Sequence, residues 1–431
     1  MSVTGRLPVL VLIGSVAVVL EPARRTVALW ALICLGLVLL DIALALSPRR
    51  LVIEREPIAA VRLGEPTSSR LLVTNPTRRR LRGAVRDAWQ PSAGAVRERH
   101  TVRIDGGERR RLTTTLRPTR RGDRKADRVT VRSFGPLRLA ARQRSFEVPG
   151  VVRALPPFES RKHLPSRLAS LRQLDGRSAV RIRGQGTEFD SLRDYVEGDD
   201  IRSIDWRATA RRRSVVVRTW QPERDRRVIL VLDTSRTSAG RVEDQPRLDA
   251  AMDAALLLAA LASRAGDRVD FLAGDRWLRA RVSATARRPT LLGDLVQAMA
   301  PLEPALLEAS WPTLASAITD TSRRRALVVL LTPLEPAAIQ ESLLPTLATL
   351  THHHRVVLAS VSDPALLTMA GSRDTTDHAY AAAAAERTLA LRDRTASMLR
   401  QLGVTVIDAP PELLPPKLAD HYLLLKAQGL L

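Results

Sequence analysis

Val228-Ile-Leu-Val-Leu-Asp-Thr-Ser-Arg-Thr237 is an apolar run that stops on three alternating oxygen-bearing side chains, Asp233, Ser235 and Thr237. A short run that is apolar on both faces reads as a strand buried inside a parallel sheet. Toward the C-terminus, Leu248 to Ala265 reads as an Ala/Leu helix and Arg268-Val-Asp-Phe-Leu272 as a second strand. Ala326 to Leu331, Arg355 to Val361 and Val404 to Ile407 continue the apolar set across helix-length connections. This alternation predicts a doubly wound α/β domain over 227–431.

Upstream lies a dense mixed-charge block, Gly184-Gln-Gly-Thr-Glu-Phe-Asp-Ser-Leu-Arg-Asp-Tyr-Val-Glu-Gly-Asp-Asp-Ile-Arg-Ser-Ile-Asp-Trp-Arg-Ala-Thr-Ala-Arg211. Together with the Asp-x-Ser-x-Thr strand end, it resembles the bacterial domain of unknown function 58 family. Pro118-Thr-Arg-Arg-Gly122, Gly403 to Pro411 and Tyr422-Leu-Leu-Leu-Lys426 extend the resemblance over most of 51–431. The resemblance implies a von Willebrand factor A-like module and, as partner, a MoxR-type AAA+ ATPase acting in assembly or maturation of a client. It also implies a divalent-cation site, Mg or Mn, at Asp233, Ser235 and Thr237, with Thr313 of Trp311-Pro-Thr-Leu314 as a further ligand. Hard cations take such oxygen ligands. Where related sequences carry Ser-Asp after the fourth strand, this chain has Thr332-Pro333, which removes a carboxylate and weakens the expected site; Glu335 is a nearby substitute. The alternative is that Asp233, Ser235 and Thr237 only cap the following helix.

The block itself admits two readings. Its acids and arginines pair into a clamp anchored by Phe189, Tyr195 and Trp206, or they frame a docking face. Trp, Tyr and Arg are the residues enriched in binding hot spots. The docking candidates are Glu188, Tyr195, Asp199, Asp200, Arg202, Asp205, Trp206 and Arg211. No catalytic residue is assigned. The phosphate-binding Gly-x-x-x-x-Gly-Lys-Ser/Thr pattern is missing from the sequence, and Ser235 lacks a nucleophile-elbow context. Rival functions are a hydrolase using the acidic block and a nucleic-acid-binding protein.

The N-terminus is apolar. Val27 to Leu46 contains one charge, Asp41, and at about 1.5 Å per residue it spans a bilayer core of about 30 Å. Leu7 to Leu20 is shorter, about 21 Å, and Glu21-Pro-Ala-Arg-Arg25 between them is turn-sized. We read residues 1–48 as a transmembrane hairpin, about 4–20 and 27–46. A cleaved signal peptide is the weaker alternative, because no small-x-small site precedes Glu21. Arg6 before the hairpin and Arg49, Arg50 and Arg55 after it outnumber Arg24 and Arg25, which places both termini and the soluble domains in the cytoplasm at the cell membrane. Asp41 is expected to reach the membrane interface.

Between 51 and 149, short alternating runs at regular spacing predict an all-β sandwich. They include Leu51 to Arg55, Arg70 to Asn75, Val102 to Ile104, Leu112 to Leu116 and Arg128 to Arg132. Residues 150–226 read as a linker plus the charged block, with Gly150 to Arg183 showing little periodicity. The chain of 431 residues carries 68 Lys+Arg against 45 Asp+Glu, a net charge of +23, so anionic membrane lipid is an expected partner. Its basic residues are dispersed and aromatics make up only 3%, so no specific nucleic acid is expected. The single Cys34 excludes an internal disulfide. His352 to His354 read as a solvated turn.

Overall fold

Two apolar helices open the chain, α1 (Arg6–Leu20) and α2 (Arg24–Leu44). The computed structural model describes residues 2–181, 188–221, 226–283 and 290–431, with two compact units, Met1–Leu155 and Pro156–Leu431. Among the described residues, the helix Arg24–Arg50 is long and apolar enough to cross a membrane; α1 is shorter, at 15 residues. Their outward faces are hydrocarbon, with Leu12, Val19, Leu32 and Leu39 all more than half exposed.

The rest of the first unit is two β-sheets. Its main strands are β1 (Val52–Arg55), β2 (Thr67–Thr74), β3 (Leu81–Trp89), β4 (Arg99–Ile104), β5 (Arg109–Leu116), β6 (Gly122–Phe134), β7 (Ala140–Glu147) and β8 (Val151–Leu155). β1, β2 and β5 form one antiparallel sheet; β4, β3, β6 and β7 form the other, with β8 pairing the start of β6. Period-two alternation turns Leu71, Val73 and Leu112 of one sheet toward Leu81, Val85, Val102 and Val131 of the other. Leu46 and Leu51, on the exit from α2, complete this core.

Two charges leave the roles the sequence suggested. Asp41 does not reach toward lipid headgroups. It is fully buried, and its carboxylate accepts the backbone N–H groups of Leu137 (2.8 Å), Leu139 (2.7 Å) and Ala140 (3.1 Å) in the β6–β7 connection. That connection passes so close that a Cβ on Gly135 would lie 2.2 Å from the Asp41 carboxylate. The same connection binds the start of α1, since Ser2–Val3 pairs with Ala140–Ala141 and the Thr4 hydroxyl donates to Leu139. Arg55 is likewise no membrane flank. It is buried, donates to both oxygens of Asp87 at 2.7 and 3.1 Å, and lies 4.8 Å from the Trp89 ring centroid.

The second unit begins earlier than its apolar strands suggest. Gly150 to Arg183 is no featureless linker: it contributes β8 to the first unit and a helix, α3 (Leu164–Arg181), to the second. Just before α3, Ser160 donates its backbone N–H and its hydroxyl to Asp253 at 3.1 and 2.9 Å. The charged block forms an antiparallel pair, β9 (Glu188–Asp194) and β10 (Val216–Gln221), enclosing the short helix α4 (Trp206–Arg212).

Beyond it come β11 (Arg227–Asp233), α5 (Arg247–Arg264), β12 (Arg268–Gly274), β13 (Leu278–Val282), α6 (Leu291–Met299), α7 (Trp311–Thr321), β14 (Leu327–Leu331), α8 (Leu344–His353), β15 (Arg355–Val361), α9 (Ala365–Gly371), α10 (Thr376–Gln401), β16 (Thr405–Ala409) and α11 (Leu414–Ala427). The sheet order is β13-β12-β11-β14-β15-β16, parallel except for the antiparallel edge strand β13. α7, α8 and α10 pack their apolar residues on one face, while α5 contacts the sheet from the other together with α11. Tyr422 and Lys426, one turn apart on α11, both reach Asp267 at the α5–β12 turn, at 2.5 and 3.4 Å. That grip accounts for the Tyr422 to Lys426 motif.

Candidate functional site

In a doubly wound sheet, successive crossovers leave a crevice at the carboxyl ends of the two strands where the winding reverses, and ligands bind there. Here those strands are β11, which continues to α5, and β14, which continues to α8 on the opposite face. β11 ends at Asp233. Thr332 follows β14 immediately.

Asp233 is 1% exposed. One of its carboxylate oxygens accepts the Ser235 backbone N–H at 2.8 Å; the other accepts the Thr332 hydroxyl at 2.7 Å and the Thr237 hydroxyl at 3.4 Å. The Ser235 and Thr237 hydroxyls lie 3.0 Å apart. Burial pushes the Asp233 carboxyl above its ordinary range, and the bonds from Thr332, Ser235 and Thr237 offset this only in part. A cavity of about 180 Å³ opens over these side chains, walled by Arg236, Glu308, Trp311 and Glu341. Nearby, the Thr234 hydroxyl donates to Asp275 at 3.1 Å. Burial works to raise the Asp275 carboxyl as well, but bonds from Arg279, the Trp277 N–H and Thr234 overcome it and hold the group below its usual range.

Thr313 does not join this site. It is exposed on the first turn of α7, where its hydroxyl bonds that of Ser310 at 2.8 Å. Glu335 is no substitute carboxylate either, since Arg247 holds it at 3.1 Å. The member that sequence reasoning passed over is Thr332, treated there only as the place of a lost carboxylate. The donor set suits a hard cation in kind, with one carboxylate and three hydroxyls, but not in charge. Of the two acids in the cavity wall, Glu308 is paired with Arg236 at 2.6 Å. Among the described residues no cluster of three His, Cys, Asp or Glu converges.

The charged block forms a local network of caps and ion pairs. Asp205 accepts the N–H groups of Arg207 and Ala208, each at 3.0 Å, so it caps α4, and it also accepts from Arg218 at 2.8 Å. Asp199 takes Arg193 at 2.5 Å and the Val196 N–H at 3.0 Å, and Asp200 takes the Arg202 N–H at 3.0 Å. The backbone bonds from Ala208 to Asp205 and the side-chain bond from Arg193 to Asp199 lead in holding these two carboxyls below their ordinary range. The carboxylates of Asp199, Asp200 and Asp205 all find donors within the block. Trp206, proposed as a core anchor, is instead 67% exposed, with Ile201 at 67% and Val196 at 61%. Tyr195 is half-buried, whereas Arg202 and Arg211 are exposed. Gly184 to Thr187 and the side chains of Glu188 and Phe189 lie outside the described residues. Of the three histidines, His352 and His353 are exposed at the end of α8, but His354 is buried and burial lowers its pKa.

Residues 191–397 match the family described as protein of unknown function DUF58. This DUF58 region runs from β9 into α10 and contains Trp206, Asp233 and Thr332. Uncharacterized proteins of Mycobacterium tuberculosis and Mycobacterium bovis are 29% identical over 187 residues, which is 42% of this chain and 57% of theirs. The chain thus matches little more than half the length of those relatives. Among solved structures, the ASH/PapD-like domain of human CEP192 is similar at 10% identity and a TM-score of 0.19, covering 24% of this chain and 84% of that one. The CARDB domain of PF1109 from Pyrococcus furiosus is similar at 18% identity and a TM-score of 0.18, covering 24% and 96%.

Proposed function

We propose that this chain is a membrane-anchored interaction protein whose α/β unit is von Willebrand factor A-like and whose charged block docks a partner, by resemblance a MoxR-type AAA+ ATPase serving assembly or maturation of a client. The observation that carries the reading is Trp206. A tryptophan held outward on a capped helix, with Asp199 and Asp205 beside it already paired, has the character of an interface anchor rather than a core residue. Supporting the von Willebrand comparison is the meeting of Asp233, Ser235, Thr237 and Thr332 at the switch point. Those four residues would hold Mg or Mn weakly, because a single desolvated carboxylate leaves the ion's charge largely unmatched.

For the anchor, we propose a two-pass hairpin with both ends cytoplasmic. The start of α1 and the end of α2 both bond to the β6–β7 connection, which favours placing them on one side of the bilayer. With Arg55 removed from the count, Arg6, Arg49 and Arg50 still outnumber Arg24 and Arg25. The hydrolase reading gains less support: the paired acids Asp199 and Asp205 are held ionised and already occupied, which suits neither a general acid nor a nucleophile.

The test is one variant measured twice. Trp206→Ala should weaken pull-down of the ATPase by at least about 2 kcal/mol, while unfolding stays within about 0.5 kcal/mol, as for an exposed position. Unchanged binding with early unfolding sinks the docking reading.

A further inference from the structure

Where α2 leaves the apolar region, the sandwich presents an open pocket of about 740 Å³ lined by Ile42, Ser47, Pro48, Arg49, Arg142, Gln143 and Arg144. Its lining holds three guanidinium groups and no carboxylate. Among the described residues Arg49 and Arg142 have no acidic partner, and Arg144 lies over the Phe146 ring at 5.3 Å. A fourth arginine, Arg79, donates to the carbonyl of Leu44 at the end of α2. Three guanidinium groups facing one pocket without a carboxylate favour an anionic occupant, and planar guanidinium forks match phosphate oxygens two at a time.

The position of the pocket selects the kind of anion. Ile42 belongs to α2, whose Leu39, Leu40 and Leu44 are 55%, 51% and 45% exposed. An occupant therefore meets the apolar side chain of Ile42, beside the exposed Leu39 one turn earlier, on one side and phosphate-binding groups on the other, an amphiphile's two environments. We infer that this pocket binds the phosphate headgroup of an anionic membrane lipid, using Arg49, Arg142 and Arg144. The inference rests on the membrane-anchor reading. It adds to the general attraction between basic proteins and anionic bilayers a defined site at the foot of one helix.

The test uses the full-length chain. Carbonate extraction is scored first: recovery in the soluble fraction fails the membrane reading by itself, before any lipid is added. Detergent-purified protein is then examined by native mass spectrometry with phosphatidylglycerol or phosphatidylcholine. The native chain should retain phosphatidylglycerol preferentially, and R142Q/R144Q should lose that retention at least tenfold. R99Q/R103Q, the same charge change on β4, should keep it. These arginines are on strand surfaces, and unfolding curves of both variants check that each remains folded. Equal retention of the two lipids, or undiminished retention in R142Q/R144Q, overturns the proposal. So does binding of inorganic phosphate with the same arginine dependence in a chain that shows no preference for phosphatidylglycerol, an outcome that marks a free-anion site.

Discussion

Thr332 and Asp233 lie 99 positions apart in the chain, and the Thr332 hydroxyl donates to the Asp233 carboxylate across 2.7 Å. The contact ties the ends of β11 and β14 together over the crevice. The loop carrying Thr332 is fixed in turn, because Ser360 accepts the Leu334 N–H at 3.0 Å and Arg392, paired with Asp408 at 2.8 Å, donates to Ser360 at 3.2 Å.

Thr332→Val keeps the shape but strips a buried carboxylate oxygen of its principal donor, a loss worth about 1 to 3 kcal/mol. Thr332→Ser should restore most of it. Denaturant unfolding of the two variants measures the difference; equal midpoints would mean that the bond contributes nothing.

The cation proposal is checked by titrating Mg and Mn calorimetrically at millimolar concentration. Weak heats should vanish in Asp233→Ala, fall in Thr332→Val and persist in Thr313→Ala. If the native protein gives no heat, the four side chains form a hydrogen-bonded knot that holds the loops and nothing else.

Asp253 should give the fold a pH dependence. Burial leads in raising its carboxyl from 3.8 to about 6, against the bonds from Ser160. The folded state therefore holds a proton that the unfolded state releases, so the stabilisation is fully present below about pH 4 and is lost as pH rises through about 6. Asp253→Asn still accepts from Ser160 but cannot titrate. Its stability relative to the native chain should rise between pH 4 and pH 7 by about 2 to 3 kcal/mol, the size of a two-unit shift. Parallel stability curves for the two proteins would refute the assignment.

The sandwich depends on Arg55 and Asp87, both nearly inaccessible to solvent. Asp87→Ala leaves a guanidinium buried without its counter-ion and should cost about 3 to 5 kcal/mol. Replacing both members with apolar residues, Arg55→Met with Asp87→Leu, should recover much of that loss. A double variant as unstable as the single one would show that the pair's hydrogen bonds, including the one from Ser69, matter more than its charges.

How much of this was legible depended on the range of the interaction. The strands β11, β12, β14, β15 and β16 are continuous apolar runs whose reading needs no neighbour, and the alternation in β2 and β5 is equally local. β3 escaped notice because Gly83 and Asp87 occupy its buried positions in place of apolar side chains, and Asp87 makes sense only once Arg55 is beside it. Helix α3 is polar enough to look like linker until it is set against α5 and α11. The Asp233 triplet was visible because it is contiguous. Thr332 was not, since its role is created by the pairing of β11 with β14. Trp206 ran against composition: tryptophan is usually buried, and its place on the short capped helix α4 could not be read from the sequence alone.

The three amides that end on Asp41 have a practical meaning for anyone who tries to excise the soluble part. Cutting at residue 51 looks natural from the hydropathy alone. The excised piece would lose Leu46 from its core, leave the N–H groups of Leu137, Leu139 and Ala140 without an acceptor, and bare the edge of β7 where Ser2–Val3 had paired. An uncovered strand edge is a template for pairing with other chains, so such a fragment should precipitate or multimerise unless an acceptor and an edge cover are engineered back. The apolar helices and the sandwich are one compact unit, and the hydropathy boundary is not a domain boundary.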